Sequence, residues 1–507
     1  MGSDADQHDT TNARGARQPL VLAVDVGTSS ARAAVYDARG RELVETDARA
    51  QREFRATPDG GAEDDAEAVL SDVVRVVTDA HARADALSLE ISSVAVSCFM
   101  HSLVGVDAQG RAVTPVFGWA DTRAVSEVPA LKERFDERTT HARTGCRLHA
   151  SYWTAKLAWL RRTQADAFSR VARWLSFGEY LLARLCGAQA ASVSMASGTG
   201  LLDVHRCEWD KEVLAGLNLK REQLPRLAAD DETFALGDDF AARWPRLRGR
   251  PVFPVFGDGP ANNVGAACVT RERVALMIGT SGAMRVVFEG DAPDELPASL
   301  WCYRLDRRRT SVGGALSDGG GLYEWMRETL ALTLDDERIE RELAAMRADA
   351  HGLTVLPFWA GERSTGWNAG ARGAIIGLRT STRPVEILRA ALEAVALRFA
   401  DVARDLEAFA PGAEVFSSGG ALRHSRAWTQ VIADALGRPV NLSRAREASS
   451  RGVALVALER LGAIKDLTDA PAPVYETFTP DAAAHALYRE ALARQESLYR
   501  AVIDRLP

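Results

Sequence analysis

Cysteine is scarce in this chain of 507 residues, six in all, and no two of them form a Cys-x-x-Cys pair. Cys98, Cys146, Cys186, Cys207, Cys268 and Cys302 lie too far apart in sequence to indicate a zinc site or a disulfide framework. Long apolar runs are also missing, so no membrane span is expected. Residues 1–18, MGSDADQHDTTNARGARQ, lack the apolar centre of a secretory signal, which points to a cytoplasmic protein with a disordered N-terminal tail over 1–18. There is no basic block either. The 62 Lys and Arg, nearly all Arg, are interspersed with 69 Asp and Glu for a net charge of −7, and no nucleic-acid partner is expected. No Gly-x-x-x-x-Gly-Lys-[Ser/Thr] occurs, which excludes a Walker loop, and no Gly-x-Gly-x-x-Gly follows a strand, which leaves a dinucleotide fold without support.

What is present is the balance of a globular protein, 47% hydrophobic and 26% charged, in a chain long enough for two large domains. Val21 to Asp37, VLAVDVGTSSARAAVYD, reads as strand, tight turn and strand. A third strand over Arg41 to Thr46, a helix over Asp64 to Ala86 and a strand over Ile91 to Val96 follow. Further helices are expected at Ala155 to Thr163 and Phe177 to Cys186. Near the middle, Val274 to Val287, VALMIGTSGAMRVV, repeats the opening pattern with Gly279-Thr280-Ser281 in the place of Gly27-Thr28-Ser29. The repeat implies duplication. Helices at Pro384 to Phe409 and Ala427 to Leu436 flank a strand at Glu414 to Ser417, so the second half also mixes strands and helices. Pro251-Val252-Phe253-Pro254 is the expected seam, dividing the chain into domains at 19–252 and 253–507.

Four places carry candidate chemistry. Asp25 ends the first strand, either as a turn residue bonding its own backbone or as the ligand of a cation. The two Gly-Thr-Ser turns offer backbone N–H groups and hydroxyls suited to phosphate oxygens. Asp258, in Phe256-Gly257-Asp258-Gly259, is either a helix N-cap before a helix at Val264 to Cys268 or a general base for a sugar hydroxyl. Ser417-Ser418-Gly419-Gly420-Ala421 is either a plain strand-to-helix turn or a glycine floor for a flat ring.

Taken in order, VDVGTSS, FGDG, IGTSGA and SSGGA, with Trp428 to Asp434 and Gly437-Arg438-Pro439-Val440 behind them, resemble the FGGY family of carbohydrate kinases over residues 20 to 465. Phe99-Met100-His101-Ser102-Leu103, Trp119-Ala120-Asp121-Thr122-Arg123, Ala196 to Leu201 and Ala360-Gly361-Glu362-Arg363 with Trp367-Asn368-Ala369 are most similar to the gluconokinases. The resemblance implies an α/β fold of two actin-like, ribonuclease-H-like domains with a catalytic cleft between them. It implies that Asp258 is the catalytic base and that Asp25 faces Mg²⁺. Gly27, Thr28, Ser29, Gly279, Thr280, Ser281, Gly314, Gly419, Gly420 and Ala421 would hold ATP. Met100, His101, Trp119, His149 and Asp258 would meet the acceptor, with His101 donating to it. The expected partners are ATP and a sugar or sugar acid, most of all D-gluconate, with a homodimer as an open assembly state. Xylulose or ribulose is the alternative acceptor, and an actin-like ATPase acting through a partner protein is the rival of another class. The sequence departs from gluconokinases at His149-Ala150-Ser151-Tyr152-Trp153-Thr154-Ala155-Lys156, where Tyr152 and Trp153 are expected to reshape the acceptor pocket.

Overall fold

The structure, a computed structural model, describes residues 10–472 and 474–503. Two mixed sheets form its frame. Across the first, the strands run in the order Thr10–Thr11, Glu42–Gln51, Ser30–Tyr36, Leu20–Val26, Ile91–Cys98 and Phe256–Gly257. Across the second, the order is Trp301–Arg304, Arg309–Leu316, Gly282–Glu289, Arg273–Ile278, Glu414–Ser418, Val440–Ser443 and Val474–Phe478. Leu20–Val26 pairs antiparallel with Ser30–Tyr36 and parallel with Ile91–Cys98. Arg273–Ile278 pairs in the same way with Gly282–Glu289 and Glu414–Ser418. The hairpin beside a parallel strand therefore occurs twice, as the repeated Gly-Thr-Ser turns imply.

Side chains alternate between the faces of a strand, and this decides what each sheet buries. Leu22, Val24 and Val26 pack with Val69, Val73, Val76 and Ala80 of the helix Ala66–Ala86, whose N-cap Asp65 accepts from the N–H of Ala68. In the second sheet Val274, Leu276 and Ile278 pack with Leu388, Leu392 and Val395 of the helix Pro384–Leu406. The opposite faces turn toward each other. Val21 and Ala23 of the first sheet and Val287 of the second share one apolar cluster with helices Asp258–Gly265 and Ala448–Arg460. By the same alternation Asp25, Met277 and Arg285 lie on these inner faces. The two helices cross closely because Gly265 and Gly452 lack side chains: a Cβ at either would fall 1.8 Å from a carbonyl oxygen of the other helix, that of Ala448 or Ala261.

Two expected boundaries differ from the fold. Phe256–Gly257 pairs parallel with Ser97–Cys98, and Val252 bridges Val94, so the division drawn between 252 and 253 cuts through the first sheet. The apolar run there is buried, with Val252 bridged to Val94 and Phe234, and leads into the edge strand Phe256–Gly257, so it is not a linker; the chain reaches the second sheet only after Gly265. The tail expected to be disordered over 1–18 is ordered from Thr10: Thr10–Thr11 pairs parallel with Glu42–Leu43, and the N–H of Arg17 donates to Asp37 at 3.3 Å. Residues 1–9 lie outside the described residues. Asp258 opens its helix instead of preceding one at Val264, since that helix spans Asp258–Gly265.

Between the first sheet's last two strands the chain builds a separate layer of short helices and strands around Trp153, Leu157, Trp174, Leu201 and Trp209. This layer supplies one wall of the site. Among the described residues no helix is long and apolar enough to cross a membrane. All six cysteines are free.

Candidate active site

Two cavities adjoin the second Gly-Thr-Ser turn. The smaller, about 90 Å³, is lined in part by Met100, His101, Trp119, Tyr152, Asp258 and Ser281. The larger, about 520 Å³, is lined in part by Gly279, Thr280, Gly320, Gly420, Ala421 and His424. Gly279 and Thr280 thus face one cavity and Ser281 the other. The turn also anchors a glycine-rich segment, because the N–H groups of Gly319 and Gly321 donate to the Thr280 carbonyl and that of Gly320 to the Gly279 carbonyl.

Asp258 reaches the smaller cavity from the first turn of its helix, where Oδ1 accepts from the N–H of Gly259 at 2.8 Å. Burial and the neighbouring negative charge of Asp25 push its carboxyl up to about 6, against the smaller opposing effect of Arg285. A base that ionises near neutral pH suits proton transfer from a hydroxyl. Asp25 stands at the end of the first strand, opposite Arg32 and Ser97 in register. Ser97 donates its hydroxyl to Asp25, and burial raises the carboxyl above its ordinary value. Arg32, which the sequence reading passed over, is ion-paired with Glu447. Its place opposite Asp25 in the hairpin register was the available signal.

His101 has a left-handed backbone, φ 65°, and its Nδ1 lies 2.6 Å from the Gly198 carbonyl oxygen. Burial holds the imidazole down at about 3, so the ring is neutral and Nδ1 carries the proton that this carbonyl requires. Nε2 is then an acceptor. The expectation that His101 donates to the acceptor molecule is corrected: through Nε2 it accepts a hydrogen bond from a hydroxyl and cannot donate one. Lys156 fixes the surrounding loop by donating to the carbonyls of His101 at 2.9 Å and Ser151 at 2.7 Å.

The other expected residues divide. Met100 and Trp119 line the smaller cavity. His149 does not; it is buried behind the wall, with Nε2 3.2 Å from the Glu362 carbonyl and Nδ1 3.1 Å from the Ser151 hydroxyl. Its direct contact with the acceptor is therefore withdrawn, because both ring nitrogens face the protein. Tyr152 lines the cavity and its hydroxyl meets that of Tyr303 at 2.6 Å, whereas Trp153 turns into the core and donates to the Ser102 carbonyl. Gly314 is also corrected. It lies mid-strand against Val402, where a Cβ would come within 2.7 Å, and lines neither cavity. Gly419 has φ 97° and abuts the Ile278 carbonyl, which explains the glycine through backbone conformation. Gly27, Thr28 and Ser29 form the turn after Asp25 and line neither cavity.

Residues not expected at the site also line the smaller cavity, among them Ser151, Arg285, Trp301, Tyr303 and Met277. Trp301 and Tyr303 alternate along one strand face and stack at 4.1 Å. Only that period-two aromatic spacing pointed to them.

Comparison with known proteins agrees with this arrangement. The model for the N-terminal domain of the FGGY family of carbohydrate kinases matches residues 20–265, and that for the C-terminal domain matches 274–459. A gluconokinase of Bacillus subtilis (strain 168) is 27% identical over 458 residues, 88% of each chain. A glycerol kinase of Trichlorobacter lovleyi is 31% identical over 464 residues, 88% of this chain and 91% of that one. Among solved structures, a xylulose kinase from Lactobacillus acidophilus superposes with a TM-score of 0.87 at 25% identity, covering 96% of this chain and 99% of that one. A gluconate kinase from the same organism gives 0.86 at 26%, covering 95% and 98%. The two-domain fold shared with these enzymes is the actin-like, ribonuclease-H-like one.

Proposed function

Because the chain belongs to the FGGY family of carbohydrate kinases, and so is an ATP-dependent phosphotransferase with an alcohol acceptor, we propose that it converts D-gluconate to 6-phosphogluconate. The observation that carries the reaction is the position of the second Gly-Thr-Ser turn, with Thr280 facing the larger cavity and Ser281 sharing the smaller one with Asp258. ATP would occupy the larger cavity, its ring against Gly420 and Ala421 and its phosphates on the turn. An acceptor hydroxyl beside Asp258 would lose its proton to that carboxylate as the oxygen meets the γ-phosphoryl group. Neutral His101 would accept a hydrogen bond from a second hydroxyl.

A divalent cation fits the first turn. Asp25 has one side-chain hydrogen bond among the described residues, from Ser97, and its charge opposes that of Asp258, a repulsion that a cation relieves. Mg²⁺ held there would neutralise charge on the phosphates, with Asp25 as its protein ligand. The turn Gly27-Thr28-Ser29 would meet the phosphates from that side.

Support for gluconate over other acceptors comes from the gluconokinase and gluconate kinase among the relatives and from the Met100-His101 strand end in the cavity wall. Kinases named for glycerol and xylulose are similarly close, so the acceptor is the point to test. Phosphorylation of D-gluconate, D-xylulose, D-ribulose and glycerol with Mg²⁺·ATP should give the highest kcat/KM for D-gluconate, with 6-phosphogluconate as product. A ketopentose or glycerol turned over faster would overturn the assignment.

A further inference from the structure

Among the described residues, three buried arginines are matched by carboxylates. Arg309 pairs with Asp306 and Glu459, Arg389 with Glu393, and Arg398 with Glu362 and Asp401. Arg304 instead places its donors on the carbonyls of Val204 and Gly290 and the hydroxyl of Thr310. Arg285 follows neither pattern. It is 4% exposed and lines the acceptor cavity. Its Nε donates to Oδ1 of Asn263 at 3.0 Å and its Nη2 to Oδ1 of Asn262 at 3.2 Å. Both partners are neutral amides: they orient the guanidinium without pairing its charge, and the carboxylate whose charge it feels most is Asp258. Nη1 has no hydrogen-bond partner among the described residues, and it would lie 2.9 Å from a Cβ on Gly259, the neighbour of Asp258.

A second guanidinium enters the same cavity. Arg363 lies over the Trp119 ring at 4.3 Å, donates from Nη2 to the Leu316 carbonyl at 2.7 Å, and leaves its buried Nε unpartnered. Against these two charges the cavity wall offers one carboxylate, Asp258, which the reaction needs as a base; Asp318, whose charge also reaches Arg363, lies outside the lining and accepts from the Ala360 N–H at 3.1 Å. A buried cation without a counter-charge is costly, and an anionic ligand removes that cost on binding. A bidentate or forked hydrogen bond to a planar carboxylate is the geometry that a guanidinium matches best.

We propose that Arg285, with Arg363 beside it, is the anchor for the acceptor's carboxylate and makes the cavity selective for sugar acids over the corresponding polyols. This rests on the kinase reading of the same cavity. Asn262 and Asn263 act as positioning residues, holding the guanidinium by Nε and Nη2 so that Nη1 faces the ligand. An aspartate at either position would pair with Arg285 and cancel the charge that selects the acid.

The test compares D-gluconate with D-glucitol, which carries a hydroxymethyl group in place of the carboxylate. Affinities of the full chain for both are measured by calorimetry without ATP, for the wild type, Arg285→Gln and Arg285→Lys. The wild type should prefer the acid, and Arg285→Gln should reduce the gluconate-to-glucitol affinity ratio by roughly 10-fold to 150-fold. Arg285→Lys, which keeps the charge, should retain part of the preference, and a cooperative melt of each variant establishes that it is folded. An unchanged ratio in Arg285→Gln, or a wild type that binds glucitol as tightly as gluconate, overturns the proposal. If the acid preference depends on Arg285 but another sugar acid is phosphorylated faster than gluconate, the gluconate assignment fails and the carboxylate anchor stands.

Discussion

The two Gly-Thr-Ser hairpins share a backbone and differ in what surrounds it. In each, an antiparallel pair is joined by the turn and flanked by a parallel strand. Two residues before the turn glycine the first copy has Asp25 and the second has Met277, both on the inner face of their sheets. Asp25 sits beside Ser97 and Arg32, a setting for a cation and phosphate. Met277 lines the acceptor cavity as an apolar wall. After the turn the first copy carries Arg32, ion-paired to Glu447, while the second carries Arg285, oriented by asparagines. On the proposed reading, the repeated hairpin differs between its copies by a few inner-face side chains: one copy would serve metal and phosphate, the other the acceptor. Asp258 lies where both charges are felt, since Asp25 raises its carboxyl and Arg285 lowers it.

The comparison breaks first at Asp258, which belongs to neither hairpin. Asp258→Asn should lower kcat by about 100-fold to 10,000-fold while ATP affinity, measured by titration, changes little, because the amide keeps the shape and cannot accept the proton. The same variant should be more stable than the wild type. Asp258 ionises near its ordinary 3.8 when unfolded and near 6 in the fold, so the folded protein carries no penalty below 3.8 and the full one above 6. Relief of order 1–3 kcal/mol should therefore appear in thermal unfolding at pH 8 and shrink toward pH 4.

The asymmetry of the copies sharpens next. Asp25→Ala should reduce Mg²⁺-dependent turnover roughly 100-fold, the loss of a few kcal/mol of charge stabilisation, and should raise the Mg²⁺ concentration at half-maximal rate. Met277→Ala, the matching change in the other copy, should leave that Mg²⁺ dependence unchanged and act on the acceptor's KM. Equal effects on Mg²⁺ dependence would remove the division of labour. A smaller effect is expected at His101. A lost hydrogen bond between neutral groups corresponds to about 0.5–1.5 kcal/mol, so His101→Ala should lower kcat/KM about 2-fold to 12-fold. Because burial keeps the imidazole neutral, that ratio should be the same at pH 6 and pH 8.

Much of this was legible from local pattern. The first hairpin, the helix after it and the strand Ile91–Cys98 follow from hydrophobic periodicity, and of the stretches singled out for their chemistry the second Gly-Thr-Ser and Phe-Gly-Asp-Gly lie at the cavities. What escaped depends on long-range packing. His149 looks like a ligand until the Glu362 carbonyl, 213 residues away, is seen to occupy its Nε2. Arg285 looks like one charge among many until Asn262 and Asn263 are found holding it at the cavity. The seam was misplaced because a buried extended segment and a Pro-containing linker have similar composition, and only the bridges of Val252 to Val94 and Phe234 tell them apart. The polar segment from Thr10 to Gln18 shows no apolar alternation, yet its first two residues gain backbone partners along Glu42–Leu43.

The role of Asp258 as the base can be read directly from the pH dependence of kcat/KM for D-gluconate, at saturating Mg²⁺·ATP, between pH 4.5 and 8. The account predicts a plateau near neutral pH and a fall approaching tenfold per pH unit in acid, set by protonation of a carboxyl that burial holds above its ordinary value, with a midpoint no higher than about 6 because Mg²⁺ at Asp25 removes the repulsion that adds to burial. A profile that stays flat down to pH 4.5 in the folded enzyme would contradict it.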